Sequence, residues 1–340
     1  MPDRQAQLLF VVGSDEPPVM TKAGHPKYSG CTNLHRLFDK REPVHILKLD
    51  KHALRQRKRP ELHPYRCIVN FITDPDQNPR TLDNLKKLLR EYQGKVINPP
   101  EAVLRSSRDQ VARLLDGIPG LVAPKTIRVR NPKPDLVTGA IERADMRFPL
   151  IVRLAGTHTG LILGLFDNVA QLRAALTENG EHIITEFVDY RSDDGIYRKY
   201  RAFFFGERVI LRHMLASDQW TVHAKDRMGF MIDRPELLAE EAPLFDEPEG
   251  AFPQPIRETL KLVRDRIPLD YFGMDFGIDR DGRVVLFEAN ATMNFFPFVS
   301  DARLDHVRRC YQPAKDAFHA MLGCPERGSF AFGTRLAMAR

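Results

Sequence analysis

DFGIDRDGRVVLFEAN, residues 275–290, joins two apolar runs through Asp281 and Gly282 and ends on a carboxylate, a small residue and an amide. Asp-Gly between apolar strands is a strong hairpin signal, because both central positions of a two-residue turn take positive φ. With those two residues as the turn, Arg280 faces Arg283, Asp275 falls opposite Glu288, and Gly273 lies opposite Asn290. Side chains on a strand alternate faces, so Glu288 and Asn290 share one. Carboxylates opposed across strands have Cβ atoms about 5 Å apart and repel unless a positive charge answers them. A hard divalent cation such as Mg2+ accepts this set of oxygens, with water and substrate phosphates completing its shell. Solvated carboxylates opposite Lys or Arg on a neighbouring strand are the alternative, and the spacing leaves both open.

Working outward from the hairpin, the first hundred residues alternate short apolar runs, LLFVVG, HILKL, CIVNFI and KVIN, with helical patterns. In TLDNLKKLLREY, Leu82, Leu85, Leu88, Leu89 and Tyr92 share one helical face, with Thr81 as the expected N-cap. Strand, helix and strand in this order predict a parallel α/β unit. SSRDQVARLLDGIPG opens a second segment, in which Ser107 and Gln110 have the spacing of a capping box and Gly117 and Pro119 end the helix. APKTIRV, FPLIVRLAG and HIITEFV follow as strands, with the helix DNVAQLRAAL before the last. The third segment carries YRAFFFGERVILRHML, a hairpin turning at Gly206 and Glu207, then the 275–290 hairpin and a helical C-terminal stretch. The fold class is therefore α/β, helices and sheets in layers. The expected divisions are residues 1–100, 101–184 and 185–325, with a tail at 326–340.

An apolar share of 43% over 340 residues is enough for a folded core and excludes disorder as the default. The net charge of +6 suits anionic ligands without demanding nucleic acid. KHALRQRKRP, residues 51–60, is the most basic stretch, and it lacks the aromatics that would stack on bases. A solvated face, an acidic-substrate patch and a polynucleotide patch all fit it. Cys31, Cys67, Cys310 and Cys324 form no C-x-x-C pair, so neither a zinc knuckle nor a disulfide framework is expected. No apolar run is long enough to span a bilayer and no leader pattern opens the chain, which makes a cytoplasmic protein with no membrane partner the expectation.

With Asp275, Glu288 and Asn290 in hand, the chain resembles the ATP-grasp superfamily, the carboxylate-amine ligases that include glutathione synthetases and the ribosomal-protein glutamate ligase. The resemblance covers about residues 97–298. It implies an N-terminal parallel α/β domain followed by two α+β subdomains enclosing the nucleotide. It also implies that Asp275 and Glu288 bind magnesium, that Glu288 bridges two ions with Asn290 helping to hold the second, and that Mn2+ can substitute. FPLIVRLAGTHTG is similar to the strand and small-residue loop over the ATP phosphates, which makes Arg153, Gly156 and Gly160 nucleotide contacts. IITEFVDY resembles the adenine-binding hinge, with Glu186, Phe187 and Val188 at the hinge and Asp189 as ribose partner. YRAFFFGERVI corresponds to the hairpin after the hinge, placing Arg201, like Arg153, in a catalytic role at the phosphates.

Three positions depart from the family pattern. Gln110 stands where a lysine is usual, Arg153 replaces a second lysine, and Lys199 replaces an acidic residue two positions before Arg201; Arg108 and Lys125 are candidates to restore the charge lost at Gln110. The implied activity is ATP-dependent ligation of a carboxylate to an amine through an acylphosphate, releasing ADP, with small-molecule or peptide substrates. An inactive nucleotide-binding module, a phosphotransferase on the same fold, and a basic nucleic-acid-binding protein using residues 51–60 are the competing readings, and an oligomer is left open. Asn70, Asp74 and Asp76, near a strand end, are candidate substrate contacts. SDQWTVHAKDRMG, around Trp220, is either a flap over the site or a solvated loop, and His158 either a phosphate contact or solvated.

Overall fold

The computed structural model describes residues 7–323, apart from positions 23, 40–42, 53, 55–59, 132, 157–161, 177–179 and 247–250. Six of the ten residues in the basic stretch 51–60, together with His158, Gly160 and Cys324, lie outside the described residues.

The chain opens with β1 (Leu8–Ser14), a short hairpin β2 (Val19–Met20) and β3 (Pro26–Lys27), then β4 (Val44–Asp50), β5 (Cys67–Asn70), α1 (Pro79–Leu88) and β6 (Lys95–Ile97). Strands β4, β1, β5 and β6 line up in that order as an all-parallel sheet. β1 and β5 are almost wholly buried, as near-continuous apolar runs in a parallel sheet should be. Helix α1 starts earlier than its expected cap. Asn78 is the N-cap, Pro79 supplies the preset φ of the first turn, and Thr81 falls inside the helix. Asp15, just past β1, takes over the capping work by accepting the Thr81 N–H and hydroxyl, both at 2.7 Å.

After α2 (Pro100–Val103) comes α3 (Arg108–Leu115), opened by the expected Ser107/Gln110 capping box. β7 (Leu121–Val122), β8 (Thr126–Arg130), α4 (Pro134–Arg143), β9 (Leu150–Leu154), β10 (Ile162–Phe166), α5 (Val169–Ala175) and β11 (Glu181–Glu186) follow. Strands β10, β9, β11 and β8 form a second, antiparallel sheet. Its core, around Val137, Leu150, Val152, Leu172 and Ile184, is separate from the large core shared by the other two sheets.

The third sheet is built from β12 (Tyr197–Phe205), β13 (Arg208–Ser217), β14 (Tyr271–Ile278) and β15 (Val284–Asn290) in the order β13, β12, β14, β15, with β7 added in parallel to β15. Between β13 and β14 lie α6 (Pro235–Glu241) and α7 (Gln254–Arg266), and α8 (Tyr311–Met321) closes the described chain. β12 and β13 turn at Gly206 and Glu207 as expected, with Phe205 opposite Arg208. Stacking of Phe204 on Phe272, centroids 4.3 Å apart, ties β12 to β14 in the core.

The Asp-Gly turn differs from expectation in an informative way. Asp279 pairs with Arg283 across a three-residue loop: the Asp279 N–H donates to Arg283 O, the Gly282 N–H donates to Asp279 O, and Asp279 Oδ1 accepts from the backbone of Asp281 and Arg283. Only Gly282 takes positive φ, at 76°, so a turn with one left-handed residue replaces the two-residue turn and Arg280 does not face Arg283. Near the turn the register is therefore one residue short, Ile278 opposite Val284. A bulge at Phe287 restores it, and Asp275 opposes Glu288 and Gly273 opposes Asn290 as expected. β13 carries a second bulge: Arg201 opposes His213 and Ala202 opposes Leu211, leaving Arg212 as the extra residue.

Candidate functional site

β14 is buried from Tyr271 to Gly277, so the Asp275 carboxylate, 3% exposed, needs a partner. It is flanked on both sides within the sheet, by Glu288 on β15 and by Arg201 on β12. The Arg201 guanidinium forks onto it, Nε to Oδ1 at 2.6 Å and a terminal nitrogen to Oδ2 at 2.8 Å, while Lys199 Nζ lies 3.6 Å from Oδ2. Glu288 is met from the other side by Arg108, the first residue of α3, whose guanidinium pairs with Oε2 and also donates to Phe287 O at 2.7 Å. That carbonyl belongs to the bulged residue, which the ladder leaves unpaired.

Burial pushes both carboxyls up. On Asp275 the opposing pull of Arg201 and Lys199 prevails, and on Glu288 that of Arg108 prevails over repulsion from Asp275, so both stay below their ordinary values and ionised at neutral pH. Arg153, on β9, faces them from the second sheet. Burial and the neighbouring Arg108 push its guanidinium down to about 10, against the pull of Glu288 and Asp275, and it remains charged. Arg108, Arg153, Lys199 and Arg201 thus outnumber the two carboxylates, a surplus suited to a polyanion.

These groups line a cleft of about 580 Å³ between the second and third sheets. Ile151, Val188 and Leu286 add apolar wall, and a volume in this range accommodates a cofactor-sized ligand. Glu186, Phe187 and Val188, which leave β11, all line it. They are held by backbone bonds from Glu186 to Lys125 O and from Phe187 to Pro149 O, and by Glu186 Oε1 accepting the Arg147 N–H at 2.7 Å. The Trp220 loop forms the opposite wall: Trp220, His223 and Lys225 line the cleft, the Trp220 ring meets Phe187 edge-on at 5.4 Å, and Trp220 O accepts from the Tyr190 hydroxyl. Gly277 makes room for this wall, since a Cβ there would lie 2.6 Å from Tyr190 and 2.9 Å from Phe287.

The other candidates are placed differently. Asp189 is not among the cleft-lining residues and pairs with Arg191 at 3.1 Å. Gly156 lines a small 40 Å³ recess beside Glu288 and Asn290, and its carbonyl accepts from Gln77 at 2.7 Å. Of the two candidates to restore the charge lost at Gln110, Lys125 pairs with Asp145 and Arg108 with Glu288. The space beside Gly273 is filled by Met293, whose Sδ is 2.7 Å from where a Cβ would be. Asn70 is committed to Asn98 O and the Ile72 N–H, and Asp74 Oδ1 accepts from the backbone of Asp76 and Gln77. Asp76 meets Arg128 at 2.9 Å, and Arg128 also binds Asp109 and Glu181, tying the first sheet and α3 to the second sheet. Asp74 and Asp76 do line the recess beside Glu288. Tyr190, Phe287 and Arg128 escaped the sequence reading, because a bulge and long-range ion pairs leave no local pattern.

Two opposed, ionised carboxylates suit a hard cation, and among the described residues Glu288 Oε1 has no protein partner. Asn290 Oδ1 already accepts the N–H groups of Thr292 and Met293, each at 3.0 Å, so it would be shared with any metal. Among the described residues no cluster of three or more His, Cys, Asp or Glu forms a metal site.

No family model and no curated protein matches the chain. Solved structures do. The VanG D-Ala:D-Ser ligase of Enterococcus faecalis is 11% identical and superposes with a TM-score of 0.55 over 94% of this chain and 99% of its own. A RiPP-associated ATP-grasp ligase of Chryseobacterium gregarium, in complex with ADP and a leader and core peptide, is 12% identical with a TM-score of 0.50 over 95% and 98%. The chain has the ATP-grasp fold. N5-carboxyaminoimidazole ribonucleotide synthetase of Thermotoga maritima gives a TM-score of 0.50 at 12% identity, over 94% of this chain and 77% of its own. Among the described residues no helix is long and apolar enough to cross a membrane.

Proposed function

We propose that the protein is a magnesium- and ATP-dependent ligase joining a carboxylate to an amine. The observation that carries this reading is the opposed Asp275–Glu288 carboxylate pair, answered by Arg108, Arg153, Arg201 and Lys199 at a cleft of nucleotide size. The D-Ala:D-Ser ligase and the peptide-bound, ADP-bound ligase support extending small-molecule or peptide substrates to this chain. A cytoplasmic location goes with such substrates.

The chemistry asks this chain chiefly for positioning and charge. A substrate carboxylate oxygen attacks the γ-phosphorus of ATP, the bond to the bridging oxygen breaks, and ADP leaves. The amine nitrogen then attacks the acyl carbon, phosphate leaves, and the amine proton passes to phosphate or water. Arg153 and Arg201 offset phosphate charge as it shifts from the γ-group to ADP, while Glu186 to Val188 and the Trp220 loop enclose the base and exclude water. Magnesium, held by Asp275 and Glu288 with Asn290 at its margin, would neutralise the phosphate oxygens. No side chain need form a covalent bond to substrate.

The test is ADP release over a panel of amino acids, short peptides and dicarboxylates, with mass measurement of any product. Glu288→Gln keeps the shape and removes the charge; it should abolish ADP formation while circular dichroism stays unchanged. Turnover retained by Glu288→Gln would refute the assignment, and a stable phosphorylated product would replace the ligase with a phosphotransferase.

A further inference from the structure

Arg212 is an anomaly. It is the bulged residue of β13, 6% exposed, and its guanidinium spends two donors on backbone carbonyls: Nε to Phe295 O at 2.7 Å and a terminal nitrogen to Pro297 O at 3.0 Å. Its Cζ lies over the Phe298 ring, 4.0 Å from the centroid. Guanidinium carries five N–H donors, and among the described residues no carboxylate pairs with this one. Arg227, in the same wall, shows what a buried arginine ordinarily receives, with both terminal nitrogens on Glu241 at 2.6 and 2.8 Å. A bridging role between β13 and the 295–298 segment explains two bonds of Arg212 and leaves its charge unanswered, a costly state in a protein interior.

His213, next along β13, repeats the imbalance. Its Nε2 is enclosed with no hydrogen-bond partner, and the charged groups acting on it, Arg201, Arg212, Arg227 and Lys199, are all cations. Arg201, Arg212, His213 and Arg227 line a chamber of about 200 Å³, smaller than the roughly 300–1,000 Å³ of drug-sized sites. The rest of its wall is largely apolar, including Leu215, Phe295, Phe296, Phe298 and Val307. Arg201 and Ala224 also line the 580 Å³ cleft, so the chamber adjoins the cleft at the guanidinium that binds Asp275.

We infer that this chamber is the subsite for the acid substrate, and that it selects a carboxylate carried on a compact apolar body, such as a branched or aromatic side chain or the end residue of a peptide. The inference rests on the ligase reading and names the substrate class of that site. The carboxylate supplies the anion missing beside Arg212 and His213, and the apolar body fills the space walled by Phe295, Phe296 and Phe298. A neutral or purely polar substrate would leave Arg212 unanswered and the aromatic wall wet. Arg201, shared by the two spaces, then stands beside the acid oxygen on one side and the phosphates on the other.

The experiment is titration calorimetry on the full chain with magnesium and a non-hydrolysable ATP analogue. The probes are acetate, 3-methylbutanoate, 3-phenylpropanoate, the primary amides of the last two, and inorganic phosphate. The two larger acids should bind about tenfold or more tighter than acetate and than their own amides. Arg212→Met should weaken them by about thirtyfold or more while leaving nucleotide affinity within about twofold. Val299→Trp, at an exposed position of the chamber wall, should exclude 3-phenylpropanoate without touching the charge, and it keeps the inference testable should Arg212→Met fail to fold. Amides binding as well as acids, phosphate binding tighter than either acid, or wild-type affinity in Arg212→Met or Val299→Trp would overturn the inference. Normal nucleotide binding with no acid bound would overturn it alone; absence of nucleotide binding would overturn the ligase reading with it.

Discussion

Arg108→Met probes the clasp on Glu288 without changing either carboxylate. The substitution removes an ion pair and a bond to Phe287 O, from a pair whose side chains are 20% and 22% exposed. Truncating one partner of a fully buried pair costs about 3–5 kcal/mol, and a hydrogen bond to a charged group is worth about 1.5–3 kcal/mol. Partial solvent screening places this loss near the lower figures, about 2 kcal/mol. With an unfolding entropy of about 2.1 cal/mol/K per residue over 340 residues, that is a fall in Tm of about 3 °C. Two further signatures separate this cause from a general packing defect. Magnesium without nucleotide should raise the Tm of the variant more than that of the wild type, because Glu288 has lost its built-in counter-charge. The pH dependence should also weaken. In the wild type Glu288 titrates below its ordinary value, so its contribution is present above about 4.5 and lost as the pH falls through the folded value. In the variant, burial and Asp275 push the carboxyl up against the pull of Arg153 and Arg201 alone, so its folded value lies nearer the ordinary one and the deficit shrinks as the pH is lowered through 4.5. Thermal unfolding at pH 7 and pH 4, with and without magnesium, measures all three. An unchanged Tm at both pH values with equal magnesium shifts would refute the proposed role of Arg108.

Arg128→Met breaks ties to Asp76, Asp109 and Glu181 from a side chain 12% exposed, and should cost about 3 kcal/mol in urea unfolding and open the junction between the first and second sheets to limited proteolysis. Gly277→Ala forces a methyl against Tyr190 and Phe287, and should cost about 1–3 kcal/mol and weaken ATP binding by calorimetry, because both rings wall the cleft. His213 is held neutral by burial and four cations, its folded value well below 6.5, so the unfolded chain protonates first and stability falls as the pH drops below about 6.5. His213→Phe should make that fall shallower, by up to about 1.4 kcal/mol per pH unit, in denaturant titrations between pH 7 and 5.

What was legible in the chain follows the range of the forces involved. The parallel strands of the first sheet, the Ser107/Gln110 box and the Gly206 hairpin depend on neighbours within a few residues, and each could be read directly. The pairing of Asp275 with Glu288 was also legible, although the turn was not: Asp279 draws the loop onto its own backbone and side chain, and the bulge at Phe287 compensates. A bulge is invisible to period-2 reasoning, because it shifts the faces after it by one residue. Arg128 binds carboxylates far along the chain and Arg212 is the extra residue of a bulge, and nothing local distinguishes either from the many arginines on the surface. Asp189 lies outside the cleft lining and binds Arg191, two residues away.

The two bulges serve one electrostatic arrangement. Each places an unpaired group beside the central pair: Phe287 presents a carbonyl that anchors Arg108, and Arg212 swings a guanidinium into the wall behind Arg201. Without ligands, the carboxylates are neutralised by the protein's own arginines, and several positive charges remain unanswered. On the proposed ligase reading, magnesium held by the carboxylates would free Arg108 and Arg201 to donate to phosphate oxygens. The exchange trades one set of charge-assisted bonds for another of similar strength, so binding need not pay the full desolvation of any group. A forked guanidinium suits both partners, because it grips a carboxylate or a phosphate with the same planar geometry.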